Sequence, residues 1–403
     1  MQIIHERCCG LDIHKKSIVA CLLSGSEREI RCFGTLTADI QALALWMSES
    51  NCQVVCMEST GSYWKPIYNI LELLDFEIIV ANAQHIKNVP GRKTDVKDAE
   101  WIAQLLRHGL VNSSFIPDKE HREIREIVRY RKSLANERAR ELNRLEKMLQ
   151  GGNIKLSSVV SELTGLTSQG LLRRLVDGSL NADNIDDCLH GSLREKRDEL
   201  LKACDGMLSR TQRVLIAAVL NHIEDMTRRI GDMDRFILDK MREYDEQIAQ
   251  LKEIPGIGQS SAETILAEIG TDMSRFPTEK HLAKWAGLCP GNNESAGRSK
   301  SGHTGKGNKI LKSTLIQSAQ TASRTNGSFF KAQYQRLVVS RGKNRAKVAV
   351  AHSMLIAIYH MLKNGTPFHD LGDSYYNLYN AEAKIKYHLK KLSALGVAVP
   401  EPA

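Results

Sequence analysis

The spacing of apolar residues changes once along the chain, near Pro117, and that change constrains the fold more tightly than any single motif. Before it, short apolar runs at 9–13, 17–23 and 29–36 are split by the charged turn His14-Lys15-Lys16 and by a Gly-Ser turn, as in a strand meander. Helical spacing at 40–48, an apolar run at 53–57, amphipathic spacing at 63–74 and another apolar run at 76–81 follow. Strands alternating with helices predict an α/β unit whose mixed sheet is covered on both faces.

After Pro117 the pattern is helical. Ile124, Ile127, Val128, Leu134, Leu142, Leu145 and Leu149 share one stripe that ends at Gly151-Gly152. A second stripe runs through Ile216, Val219, Ile223, Met226, Ile230, Met233 and Ile237, stepping alternately by three and four, then Tyr244 and Leu251. That is a coiled-coil seam, which either a helix pair inside the chain or a dimer-forming stalk satisfies. Residues 151–200 read as short helices and turns without chemistry. A compact, mostly helical unit begins at Ile254 and runs to about Phe368, and a basic, Tyr-rich helix at 375–391 precedes a Pro-containing end. A chain of 403 residues exceeds one ordinary core. The expected division is 1–118, an α/β domain; 119–250, a helical or coiled-coil connector; 251–370, a basic domain; and 371–403, a helical tail.

Charge narrows the partners. The net charge is +9, and residues 280–350 hold fourteen Lys and Arg against the single acid Glu294, so the remainder is net acidic. A polyanion is the natural partner for that segment, because each neutralised phosphate releases counterions. Apolar runs fall short of the roughly 18 residues a membrane span needs, and no signal pattern opens the chain, so a cytoplasmic protein with no membrane partner is expected. Nine cysteines without a Cys-x-x-Cys pair read as buried, reduced thiols.

Four acids stand out. Asp12 lies inside the first apolar strand and Glu58 ends the strand before Ser59-Thr60-Gly61, positions where a carboxylate is costly unless a cation compensates it. Asp95 and Asp98, three apart in a segment expected to open a helix that runs to about Leu106, would project from one face. Hard divalent ions want oxygen ligands, and a two-ion phosphoryl-transfer centre needs several carboxylates at one point. Either of the last two acids alone could merely favour a helix N-terminus. The order strand-Asp, strand-Glu, helix-Asp-x-x-Asp is the informative feature. Lys87, Arg92 and Lys93, just before the last pair, are candidate phosphate contacts, with solvated surface charge as an equal alternative.

Two further motifs lie in the basic domain. Glu253-Ile254-Pro255-Gly256-Ile257-Gly258 precedes a helix starting near Ser260; its glycines allow a tight turn that leaves free amides at the helix start. It resembles the hairpin of helix-hairpin-helix modules, with Gly256 and Gly258 against phosphate. Downstream, residues 286–308 are too polar and Gly-rich for core and read as a loop exposing Ser295, Ser299 and Ser301 among Arg298, Lys300, Lys306 and Lys309. A serine attacking a phosphodiester needs its oxyanion and the scissile phosphate stabilised, which such cations and metal ions supply. Chemistry alone does not choose among the three.

The acid order resembles the RuvC-like, ribonuclease-H-type nucleases. With Gly10-Leu11-Asp12, Glu58-Ser59-Thr60-Gly61 and Lys93-Thr94-Asp95-x-x-Asp98-Ala99, the chain resembles more specifically the DEDD transposases of insertion-sequence family 110. The resemblance extends over Ala286-Gly287-Leu288-Cys289-Pro290, Glu294-Ser295, Gly302-His303, Arg341-Gly342-Lys343 and residues 362–368, although Ala296 stands where the family commonly has glycine.

It implies a RuvC-like sheet, a coiled-coil connector and a helical C-terminal transposase domain entered by the hairpin. It implies that Asp12, Glu58, Asp95 and Asp98 bind magnesium, two ions, and that Ser295 is the nucleophile forming a phosphoserine link to DNA. Implied partners are element ends and target DNA, a structured noncoding guide RNA, and further copies in a homodimer or homotetramer with composite active sites; the protein would associate with the nucleoid when on DNA. The competing readings are a metal-only junction nuclease or DDE-like transposase, in which Ser295 is a bystander, and a non-catalytic nucleic-acid scaffold.

Overall fold

The computed structural model describes residues 2–59, 61–82, 86, 98–291, 293–295, 298–301, 303–378 and 381–395. Between Ile116 and Pro117 the chain divides into two compact units.

The first unit is α/β. Strands β1 (Arg7–Ile13), β2 (Ile18–Ser24) and β3 (Glu27–Phe33) form an antiparallel meander; α1 (Thr37–Glu49) leads to β4 (Val54–Glu58), α2 (Trp64–Leu71) to β5 (Glu77–Ala81), and α3 (Asp98–Arg107) follows. The sheet order is β3-β2-β1-β4-β5, with β1, β4 and β5 parallel. Strand alternation sorts the side chains. Cys9, Leu11, Ile18, Ala20, Leu22, Val55, Met57 and Val80 pack on α1 and α2. Cys8, Cys21, Leu23, Val54, Cys56 and Ala81 pack on the apolar face of α3, Ala99, Ile102, Ala103, Leu105 and Leu106. The sheet is thus covered on both faces, as the alternating pattern predicts. The third strand stops at Phe33, short of the expected residue 36, because Asp39 accepts a hydrogen bond from the Leu36 backbone N–H and starts α1 there.

Burial silences most thiols. Cys8, Cys9, Cys21, Cys52, Cys56, Cys188 and Cys204 are buried and in no disulfide, and burial pushes Cys52 and Cys56 up to about 12. Cys32, on edge strand β3, is exposed.

The second unit is helical, apart from a small hairpin. Helix α4 (Lys119–Gly151) starts at Asp118, whose side chain accepts from His121 N–H at 2.9 Å. Then come α5 (Leu166–Asp177), α6 (Arg197–Ala203) and α7 (Arg210–Lys240), the last opened by a Ser209/Gln212 capping box. The first half of the predicted seam is buried inside the chain, where Ile216, Val219, Ile223 and Met226 share a core with Leu145 and Leu149 of α4, while Ile230 and Met233 are half-buried. Residues 156–204 close one end of that core through Leu171, Leu172, Ile185 and Leu200. The seam does not continue as one helix beyond Lys240. Tyr244 lies in a short 3-10 turn and Leu251 on α8 (Asp245–Lys252), because α7 ends at Met241.

Beyond α8 lie α9 (Gln259–Ile269), α10 (Glu279–Trp285), strands β6 (Asn293–Ser295) and β7 (Arg298–Ser301), α11 (Lys309–Ala322), α12 (Phe329–Arg341), α13 (Lys343–Asn364), α14 (Tyr375–Leu378) and α15 (Ala381–Ala394). Residues 262–269 of α9 are all buried, and α13 buries Val350, Met354, Leu355, Ile358 and Tyr359. The tail folds back on α12: Phe329 meets Tyr375 and Tyr376, each at 5.2 Å between ring centroids, and Arg336 lies 4.6 Å over the Tyr376 ring. No described helix is long and apolar enough to cross a membrane.

One buried ion pair ties α4 to α9. Arg131, 5% exposed, donates to Glu263 and, at 2.9 Å, to Asp234 of α7. Removing one partner of a buried pair leaves the other charge uncompensated. Arg131→Ala is therefore expected to lower unfolding free energy by about 3 kcal/mol, read from denaturant midpoints; an unchanged midpoint would show that the pair contributes nothing.

Candidate active site

Asp12 follows Cys8 and Gly10 on the α3 side of the sheet, and Glu58 follows Val54 and Cys56 on that same side. Leu11 pairs with Met57 in the parallel β1–β4 ladder, so Asp12 and Glu58 are the next residues along two adjacent strands. Helix α3 is pressed onto β1 where β1 has no side chain: a Cβ on Gly10 would overlap the backbones of Ala99 and Ala103. Asp98, the first residue of α3, is exposed.

Burial raises the Asp12 pKa above the usual 3.8; the negative charges of Asp98 and Glu58 raise it further, while His14 opposes both through its charge and a hydrogen bond. His14 Nε2 lies 3.1 Å from Asp12 Oδ2. Sequence alone does not single out His14, which lies just past β1 in the turn to β2, its backbone N–H donating to Ser17 O at 2.9 Å.

The structure thus brings Asp12, Glu58 and Asp98 towards one edge of the sheet. Asp95 lies outside the described residues, as do Lys87, Arg92 and Lys93. Among the described residues no three His, Cys, Asp or Glu groups stand close enough to hold an ion together. Carboxylate oxygens are the donors a hard divalent ion takes, and Asp12 and Glu58 at the ends of adjacent strands, with Asp98 opening α3, are the residues that could offer them.

Gly10→Ala tests the approach. The added methyl must push α3 away from β1, with an expected loss of about 2 kcal/mol in stability, read from the denaturant midpoint. Wild-type stability in this variant would mean the approach has no consequence.

In the second unit the predicted hairpin joins α8 to α9. Gly256 has φ +86°, and a Cβ there would overlap the Ser318 carbonyl of α11, so this glycine serves the packing of the turn on α11. Gly258, exposed at the start of α9, has open space around it.

The polar loop is itself a β-hairpin. Pro290 and Thr304 form a bridge, Gly291 N–H donates to His303 O at 2.7 Å, and β6 pairs with β7, setting Ser295 opposite Arg298 and Glu294 opposite Ser299. Its strands lack apolar alternation, which is why sequence pattern reads them as loop. Lys300 lies on β7, and Lys306 and Lys309 are exposed beyond the stem.

Two family models match the chain: the DEDD type of the IS110 transposases, described as transposase, over residues 9–154, and the transposase IS116/IS110/IS902 family over residues 248–335. The chain belongs to the IS110 family of transposases. Among its relatives, the 43.6 kDa protein of insertion element IS110 from Streptomyces coelicolor is 27% identical over 310 residues, 69% of this chain and 72% of that protein. The transposase for insertion sequence element IS1533 of Leptospira borgpetersenii is 30% identical over 157 residues, 36% of this chain and 44% of the relative. The pilin gene-inverting protein of Moraxella bovis is 27% identical over 155 residues, 37% of this chain and 47% of the relative. Apart from the Streptomyces protein, this chain spans less than half the length of these curated relatives. The first IS110-family match contains Asp12, Glu58, Asp95 and Asp98, and the second contains the α8–α9 turn and Ser295.

Proposed function

We propose that this IS110-family chain is a transposase that cuts and rejoins DNA strands of a mobile element, using the Asp12, Glu58, Asp95 and Asp98 carboxylates and the Ser295 hydroxyl. The observation that carries the reading is the placement of Asp12 and Glu58 at the ends of adjacent parallel strands, on the sheet face that α3 covers, with Asp98 as the first residue of that helix. The sheet order β3-β2-β1-β4-β5, with a meander followed by parallel strands, supports the RuvC-like assignment. The reading assigns metal-dependent chemistry to residues 1–118, a connector to 119–250, the serine and the basic DNA surface to 251–370, and a helical tail to 371–403.

The four carboxylates would hold two magnesium ions, which stabilise developing charge on phosphate oxygens. Ser295 gives up its proton to solvent as its oxygen bonds to phosphorus, and the bond to a deoxyribose oxygen breaks, that oxygen leaving as a hydroxyl with a proton taken from solvent; the reverse displacement reseals the strand and returns the serine hydroxyl. Arg298, Lys300, Lys306 and Lys309 neutralise phosphates on either side, and the exposed amides at Gly258 hold another. Lys93 is assigned to phosphate on sequence alone, and Gly256 to placing the turn. A relative named for inverting a pilin gene agrees with strand exchange on DNA. The partners are element ends, target DNA, a structured guide RNA and further copies of the chain, on the nucleoid.

Purified protein, with any co-purifying RNA sequenced, is to be mixed with DNA carrying the element ends and magnesium. The expected product is a denaturation-resistant protein–DNA adduct that chelation prevents. Cleavage without an adduct would instead identify a metal-only nuclease, and binding without cleavage a scaffold.

A further inference from the structure

Glu268 of α9 is fully buried, yet it is a carboxylate. Arg129 donates to it through Nε and Nη2, both at 2.7 Å, and Asn308 Nδ2 donates at 2.6 Å. Arg125 adds a bond to the Glu268 backbone oxygen at 2.7 Å. Such a group is costly to bury even when paired, and apolar packing would hold α4 against α9 at least as well. What the carboxylate adds is direction.

Its partner Asn308 has both ends of its amide committed. Oδ1 accepts from Ile310 N–H at 3.1 Å and Leu311 N–H at 3.0 Å, capping α11, while Nδ2 meets Glu268. The Asn308 backbone N–H donates to Trp285 O at 3.1 Å, joining the two legs of the segment that carries Ser295. Just above, a Cβ on Gly307 would overlap Gly287, so the legs cross with no side chain between them. The stem then runs through the Pro290–Thr304 bridge to the Ser295–Arg298 pair. Glu268 is thus hydrogen-bonded to the base of the hairpin from the most buried helix of this region.

We infer that Glu268 and Asn308 are positioning residues that set the aim of the β6–β7 hairpin. The inference rests on the reading of Ser295 as nucleophile. Neither residue touches DNA; their hydrogen bond holds the stem, so that the serine meets the phosphate in one orientation.

The test uses the full chain with DNA carrying its element ends in magnesium. Asn308→Ser keeps a helix-capping oxygen but is too short to reach Glu268. It is expected to slow adduct formation at saturating DNA about a hundred-fold, with DNA affinity unchanged and the melting temperature lowered modestly by the hydrogen bond lost from the buried carboxylate, and to speed hydrogen exchange at the Gly291 and Gly305 amides but not along α13. Asn308→Asp sets two carboxylates together and slows the reaction as well; adding Glu268→Gln restores a donor to the pair and is expected to recover the rate. Wild-type exchange at Gly291 and Gly305 in Asn308→Ser, or faster exchange with an undiminished adduct rate, overturns the inference. Ser295→Ala run in parallel separates the two readings. If it still forms the adduct, the serine assignment fails and the positioning role with it; if it forms none while Asn308→Ser reacts at full speed, only the positioning role fails.

Discussion

Asp12→Asn is expected to abolish strand cleavage while leaving the protein folded and, without added divalent ions, at least as resistant to heat as the wild type. The rate should fall at least about a thousand-fold, equivalent to about 4 kcal/mol of lost transition-state stabilisation. Stability moves the other way because Asp12 is strained as an anion: burial, then Asp98 and Glu58, hold its pKa above the usual 3.8.

The sign follows from linkage. A carboxyl that holds its proton more tightly when folded costs stability once ionised; that cost is full above the raised folded value and disappears as pH falls through it towards 3.8. The wild type should therefore gain stability relative to Asp12→Asn as the medium is acidified through that window. Magnesium should raise the wild-type melting temperature and leave that of Asp12→Asn nearly unmoved, because a ligand stabilises only the state that binds it. Glu58→Gln and Asp98→Asn share the expected loss of cleavage. Cleavage at the wild-type rate in any of the three would remove that residue from the site, and magnesium-independent melting of the wild type would remove the ion.

Ser295→Ala should bind DNA as the wild type does and form no covalent adduct, with strand exchange reduced at least about ten-thousandfold, since it removes the oxygen proposed to bond to phosphorus. Ser299→Ala and Ser301→Ala discriminate among the three hydroxyls that chemistry leaves open. They lie on β7, with Ser299 opposite Glu294 and Ser301 opposite Asn293. Both should retain the adduct, detected as a band shift after denaturing electrophoresis. Loss of the adduct in Ser299→Ala together with its retention in Ser295→Ala would transfer the nucleophile to the second strand.

Asp12 and Glu58 were legible because strand pattern is local: an acid amid Cys, Gly, Leu and Ile, or ending a Val-Val-Cys-Met run, breaks its surroundings visibly. The long helices α4 and α7 were legible for the same reason, through stripes that recur every three or four residues. The β6–β7 hairpin was not, because Asn-Glu-Ser and Arg-Ser-Lys-Ser carry no alternation and are held by backbone pairing alone. Nor were the partners of Glu268, since Arg129 and Asn308 lie far from it in the chain and a buried polar contact leaves no periodic trace. Gly256 shows a subtler gap. Pattern marks it as a turn glycine with amides to offer, whereas its lack of a side chain is needed where the turn meets α11.

The bare contact between Gly10 and α3 bears on how such an enzyme tolerates sequence drift. Where main chain rests on main chain, the separation of strand and helix is fixed by peptide geometry, so exchanges among the surrounding Leu, Ile and Val alter resistance to unfolding before they alter the depth at which Asp98 sits. An engineer seeking a hardier variant therefore has the neighbouring core to work with, provided position 10 stays empty.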